Sequence, residues 1–111
     1  MNIISRTDKR NLSLEQRIIS TFKHFNPAKI LLFGSYAKGE NDDESDIDII
    51  VVYQTKKKFM DRLEELYMSW AMPKAVDILA YTPDEFDQMQ KENFFIQDAV
   101  KEGIVIYESI Q

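Results

Sequence analysis

LLFGSYAKGENDDESDIDIIV, residues 31–51, is the stretch that decides how this chain folds. Its first three residues complete an apolar run from Ala28 to Phe33, the length of a buried strand. Gly34 ends the run, and glycine there lets the chain turn sharply and lets a ligand approach the backbone. Ser35 to Lys38 reads as a turn of helix and Gly39 to Ser45 as a polar loop. A strand-to-helix turn offers free N–H groups, and the Ser35 hydroxyl adds a donor, which together make a phosphate cradle. Read alone, Gly34-Ser35 is also an ordinary turn. Asp46 to Tyr53 is the second strand, and it begins with two carboxylates in an otherwise apolar run. Strand side chains alternate, so Asp46 and Asp48 share a face about 7 Å apart. At that distance they repel by about 2 kcal/mol at an effective dielectric of 20. A divalent cation between them removes the repulsion; a solvated strand end with incidental carboxylates is the alternative.

Outward from this stretch the chain reads as alternating helices and strands. Ser13 with Gln16 suggests a capping box, opening a helix to about Phe25. On this reading residues 1–12 form a flexible N-terminal segment and residues 13–111 a single domain. Phe59 to Ala71 is helical by the spacing of Phe59, Leu63, Leu66, Tyr67 and Trp70. That spacing, with Phe94 and Phe95, assigns the aromatics mostly to the core, one of the adjacent pair being exposed. Ala75 to Tyr81 is a third strand with Asp77 inside it. A lone carboxylate in a strand core is costly unless it is paired or binds a metal. A salt bridge to Lys74 or Arg62 is one answer; a three-carboxylate site with Asp46 and Asp48 is the other. Thr82-Pro83-Asp84-Glu85 starts a helix that continues to Glu102 with a break near Asn93. Gly103 fits a helix stop, and Ile104 to Tyr107 is a last strand. The fold class is therefore α/β, a small mixed four-stranded sheet flanked by helices. The link from Gly34 to Ser45 is too short for a comfortable parallel crossover, hence the mixed sheet.

Composition narrows the chemistry. The chain of 111 residues contains no cysteine and one histidine, His24, which excludes thiolate zinc sites, Cys nucleophiles and multi-His centres. Any metal must take oxygen ligands, which points to Mg²⁺, Mn²⁺ or Ca²⁺. A net charge of -5 argues against general nucleic-acid binding, though a nucleotide can bind through a cation. No run of about 18 apolar residues is present, so no membrane span is expected, and the protein is expected in the cytoplasm. The acidic loop Asp42-Asp43-Glu44 lacks the glycine and the twelfth-position Glu of a calcium loop and reads as solvated.

Gly34-Ser35, ten residues, then Asp46-Ile47-Asp48 resembles the signature of the DNA polymerase β-like nucleotidyltransferase superfamily. The whole string from Leu31 to Val51 resembles its minimal nucleotidyltransferases, small proteins often paired with HEPN-domain toxins. The resemblance implies that Gly34 and Ser35 hold the triphosphate. It implies that Asp46, Asp48 and Asp77 bind two Mg²⁺ ions, or Mn²⁺, with Asp77 also a candidate base. Many such proteins carry arginines in the Gly-Ser loop, where this chain has Tyr36 and Lys38; Lys38 is expected to keep a phosphate contact. The implied activity is AMP transfer from ATP to a tyrosine hydroxyl of a HEPN toxin, making this chain an antitoxin. The rivals are a non-catalytic toxin-binding protein of the same fold and nucleotidylation of a small molecule. The chain has room only for the catalytic core, so acceptor recognition is expected from a partner or a second copy.

Overall fold

Residues 6–109 are described by the computed structural model, with side chains from Leu14 onward. The first residues of the expected flexible segment, 1–5, lie outside the described residues. Helix α1 spans Arg6–Phe22 and passes through Ser13 rather than starting there. Nothing between Arg6 and Phe22 is a glycine or proline, so no local signal stops the helix at Ser13. A 3₁₀ turn, Lys23–Phe25, and left-handed Asn26 then deliver the chain to strand β1, Lys29–Phe33. The short helix α2, Gly34–Lys38, leads through the acidic loop to β2, Ile47–Val52. Helix α3, Phe59–Ser69, is followed by β3, Val76–Tyr81. Helices α4, Pro83–Glu92, and α5, Phe94–Glu102, precede β4, Ile104–Glu108.

The sheet order is β3-β2-β1-β4. β1 pairs antiparallel with β2 and with β4, while β2 pairs parallel with β3. The mixed sheet expected from the short β1–β2 link is what forms. The parallel pair is joined through α3, which supplies the length a crossover needs.

Each face of the sheet is covered. Ile18 and Phe22 of α1 and Leu66 of α3 pack on Ile30, Leu32, Ile47, Ile49 and Val51. On the other face Phe86 of α4 and Ile96 and Ala99 of α5 pack on Leu31, Phe33, Ile50 and Val52. A strand buried on both faces needs apolar side chains throughout, and β2 departs from that at Asp48 alone.

Capping residues set the helix ends near the site. Thr82 and Glu85 form the full reciprocal box at the start of α4. Asn93 ends α4, and its side chain accepts the Ile96 N–H at 3.0 Å to begin α5. Gly103 ends α5 but is extended, with φ -85°, not the left-handed stop expected. Crowding explains the glycine: a Cβ would sit 2.8 Å from the Leu32 carbonyl oxygen and closer still to that of Ala99. Arg62 is nearly buried and holds Glu85 with both Nη atoms, at 2.6 and 3.1 Å. It also donates to the Lys57 and Ala80 carbonyls, tying α3 to the end of β3 and the start of α4.

The aromatic pair departs from expectation in one member: both rings, not one, lie outside the core, Phe94 82% exposed and Phe95 58%, while Phe59 and Tyr67 lie at its margin. Helical spacing identifies a stripe, but the sheet face beneath α5 is already filled by Ile96 and Ala99. No helix among the described residues is long and apolar enough to cross a membrane.

Candidate active site

Asp48 stands at the second position of β2, and the register places Phe33 on one side of it and Asp77 on the other. Its neighbours along the same face, Ile50 and Val52, run on into the core. The carboxylate is thus the first polar group at the end of a buried stripe. Asp46 lies just before β2, exposed, on the side Asp48 faces by alternation.

Asp77 is exposed rather than buried, because β3 is an edge strand. The two structural partners considered for it are engaged elsewhere. Arg62 is committed to Glu85, and the Lys74 Nζ donates to the Asp43 carbonyl at 2.9 Å. No ion pair to Asp77 occurs among the described residues. Its neighbour is Asp48, across a parallel pair.

That arrangement has an electrostatic signature. Burial, then the charge and hydrogen-bonding contact of Asp77, then the charge of Asp46, push the Asp48 carboxyl up to about 6. Each cause disfavours the charged form. A hard cation would relieve two of the three. Asp48 and Asp77 offer only oxygen donors, which is the donor set Mg²⁺ and Mn²⁺ take. Among the described residues no three acidic or His side chains are already drawn together as a finished cage. The residues fit a divalent ion that shares its shell with a ligand's phosphates, as Mg²⁺ usually does.

Gly34 completes the corner. Its φ is +72°, in the left-handed region, and a Cβ there would collide with the Asp48 carboxylate. Only glycine lets the strand end lie flat against that side chain. Ser35 follows in the first turn of α2, and its carbonyl accepts the Glu40 N–H at 2.9 Å, closing the turn.

A cavity of about 360 Å³ opens at this corner. Phe33, Gly34, Lys38 and Asp48 form one wall. The other wall is α5, through Phe95, Asp98, Ala99 and Glu102, which recur at helical spacing. Sequence reasoning missed this wall. Its lining face mixes an aromatic, two acids and an alanine, so no periodic pattern marks it. Lys38, expected at phosphate, pairs with Glu102 at 3.1 Å, and that hydrogen bond raises the Lys38 pKa. The loop residue Asp42 accepts the Glu44 N–H at 2.9 Å and the Ser45 hydroxyl at 3.2 Å. These bonds lower its pKa and hold the loop's own turn, in keeping with a solvated role.

The chain is similar to several known proteins. The family described as polymerase beta, nucleotidyltransferase matches residues 16–111. Two proteins of Methanocaldococcus jannaschii named as candidate protein adenylyltransferases are similar. One is 36% identical over 80 residues, covering 71% of this chain and 77% of its own length. The other is 32% identical over 69 residues, covering 61% and 74%. Among solved structures, a toxin–antitoxin complex with AMP-PNP aligns at TM-score 0.62 and 25% identity, covering 86% of this chain and 73% of that one.

Proposed function

The chain belongs to the polymerase β nucleotidyltransferase family, and from that premise we propose that it transfers AMP from ATP to a hydroxyl of a partner protein. The observation that carries this reading is the corner where Gly34 presses on Asp48 and Asp48 faces Asp77. In this reading Gly34 lets the triphosphate approach the backbone, and the Ser35 hydroxyl donates to a phosphate oxygen. Asp46, Asp48 and Asp77 hold Mg²⁺, two ions in all, with Mn²⁺ able to replace them. Bound there, the metal offsets charge on the phosphates and favours the ionised form of the attacking oxygen.

Asp77 has a second task. Lying exposed on the edge strand, it can take the proton of the acceptor hydroxyl and return it to solvent. The acceptor oxygen bonds to the α-phosphorus, the bond from that phosphorus to the α–β bridging oxygen breaks, and pyrophosphate leaves. Asp48 stays fixed by β1 and β3 on either side, so its carboxylate need not reorganise during transfer.

The acceptor in this proposal is a tyrosine of a HEPN-domain toxin, and modification silences the toxin, which makes the chain a cytoplasmic antitoxin. Its relatives' names, candidate protein adenylyltransferases, and the toxin–antitoxin complex support a protein acceptor. A large acceptor also suits a corner that opens at the edge of the sheet. The test is incubation with α-labelled ATP and Mg²⁺, with and without a HEPN-domain toxin. Label on the toxin, lost in EDTA and in Asp48→Asn, is the expected result. Toxin neutralised with no label transferred would replace catalysis with simple binding. Label on a small molecule alone would move the acceptor to that class.

A further inference from the structure

Helix α5 forms one whole side of the cavity, and nothing in the nucleotidyl-transfer chemistry above uses it. Along that side three side chains follow in order. Phe95 stands at the start of the helix, Asp98 one turn on, and Glu102 near its end. Phe95 and Glu102 are separated by about 10 Å along the helix axis. Glu102 holds Lys38 of the facing wall, the one cation lining the cavity among the described residues. The far end of α5 carries an aromatic ring, and Asp48 is part of the facing wall.

Phe95 is an unusual wall. It is 58% exposed, yet it is held in place: its ring meets Phe33 edge-to-face, centroids 5.8 Å apart and planes at 87°. Phe33 is itself buried and immediately precedes Gly34. One strand end therefore fixes both the phosphate turn and the aromatic ring. A ring packed on Phe33 yet more than half exposed, in the lining of a polar cavity, offers a stacking surface. Asp98, between the ring and the Lys38 end, repels bare phosphate but accepts hydrogen bonds from sugar hydroxyls.

We infer that the Phe95 face of α5 is the nucleoside subsite: the base stacks on Phe95, the sugar lies past Asp98, and the triphosphate runs toward Lys38. This inference rests on the nucleotidyltransferase reading and adds to it the residue that recognises the nucleoside. Stacking reads a π-face rather than a hydrogen-bond pattern, so the subsite favours large bases over small ones without selecting one purine strictly.

Calorimetry on the full chain in Mg²⁺ tests this with two probes, ATP and inorganic tripolyphosphate. The parent is expected to bind ATP more tightly than tripolyphosphate, and ATP more tightly than UTP. Phe95→Ala should weaken ATP about tenfold, the loss of one stacked base, and leave tripolyphosphate unchanged. Phe95→Leu keeps apolar bulk against Phe33 but offers no ring, and should show the same loss; Phe95→Trp should retain ATP binding. Phe94→Ala, whose side chain lies outside the cavity, serves as the control and should bind both probes as the parent does. Equal weakening of ATP and tripolyphosphate, or no change in either, would overturn the subsite. Failure of the parent to bind either probe in Mg²⁺ would instead overturn the nucleotidyltransferase reading on which it rests.

Discussion

Neutralising Asp48 should stabilise the metal-free protein. Its carboxyl is pushed up to about 6 from an ordinary 3.8, so the folded state binds the proton more tightly than the unfolded chain. Well below pH 3.8 both states are protonated and the site adds no strain. Between 3.8 and about 6 the unfolded chain ionises while folded Asp48 keeps its proton, so stability falls across that window; above 6 the folded protein carries the charge against burial and Asp77 and the loss is complete. The full difference corresponds to a ceiling of about 3 kcal/mol. Asp48 is only half-buried, and solvent screening reduces this to about 1 kcal/mol. Asn is nearly isosteric and removes the charge. In EDTA at pH 8, Asp48→Asn should therefore melt about 4 °C above the parent, a shift typical of that energy in a chain of this size. At pH 4 the two should nearly coincide. Added Mg²⁺ and ATP should raise the parent more than the variant, since stabilisation follows binding. Thermal melts by circular dichroism across pH 4–8, with EDTA or with Mg²⁺ and ATP, supply every comparison. A variant that melts below the parent at pH 8 in EDTA would mean that this carboxylate is held by a favourable internal contact, and the crowded-acid account of the site would be wrong.

Gly34→Ala should fold with a lowered melting temperature and lose at least about a hundredfold in transfer, because its methyl group displaces the Asp48 carboxylate; near-parent turnover would show that the close approach is incidental. Glu102→Gln releases Lys38 from its ion pair and should tighten ATP binding in Mg²⁺ a few-fold by calorimetry. Unchanged affinity would place Lys38 outside the triphosphate's reach. Asp42→Asn and Asp43→Asn should keep most of the transfer activity, measured with labelled ATP. A loss matching that of Asp48→Asn would move a metal ligand into the loop.

The carboxylate corner was legible because its residues violate the local rule. Asp48 and Asp77 each interrupt an apolar run, and the strand period alone puts Asp46 on the Asp48 side. The parallel register that faces Asp48 with Asp77 follows from how α3 returns the chain, which no short stretch of sequence contains. The burial assigned to Asp77 was wrong for the same reason: an apolar run looks alike in a central strand and at an edge. Phe94 and Phe95 share helical spacing with true core residues, and only the filled sheet face beneath them decides that they stay outside. The pairing of Lys38 with Glu102 was not legible, since Glu102 is distant in sequence and adjacent only once α5 has packed.

The position of Asp77 at the margin of the sheet has a consequence for scale. An enzyme that buries its acceptor needs walls, and walls cost chain. Here one of the two facing acids sits where the sheet simply stops, so a molecule larger than the enzyme can bring a hydroxyl alongside without entering anything. In the proposed reaction, the steric burden of choosing the acceptor then passes to the surface that carries its hydroxyl.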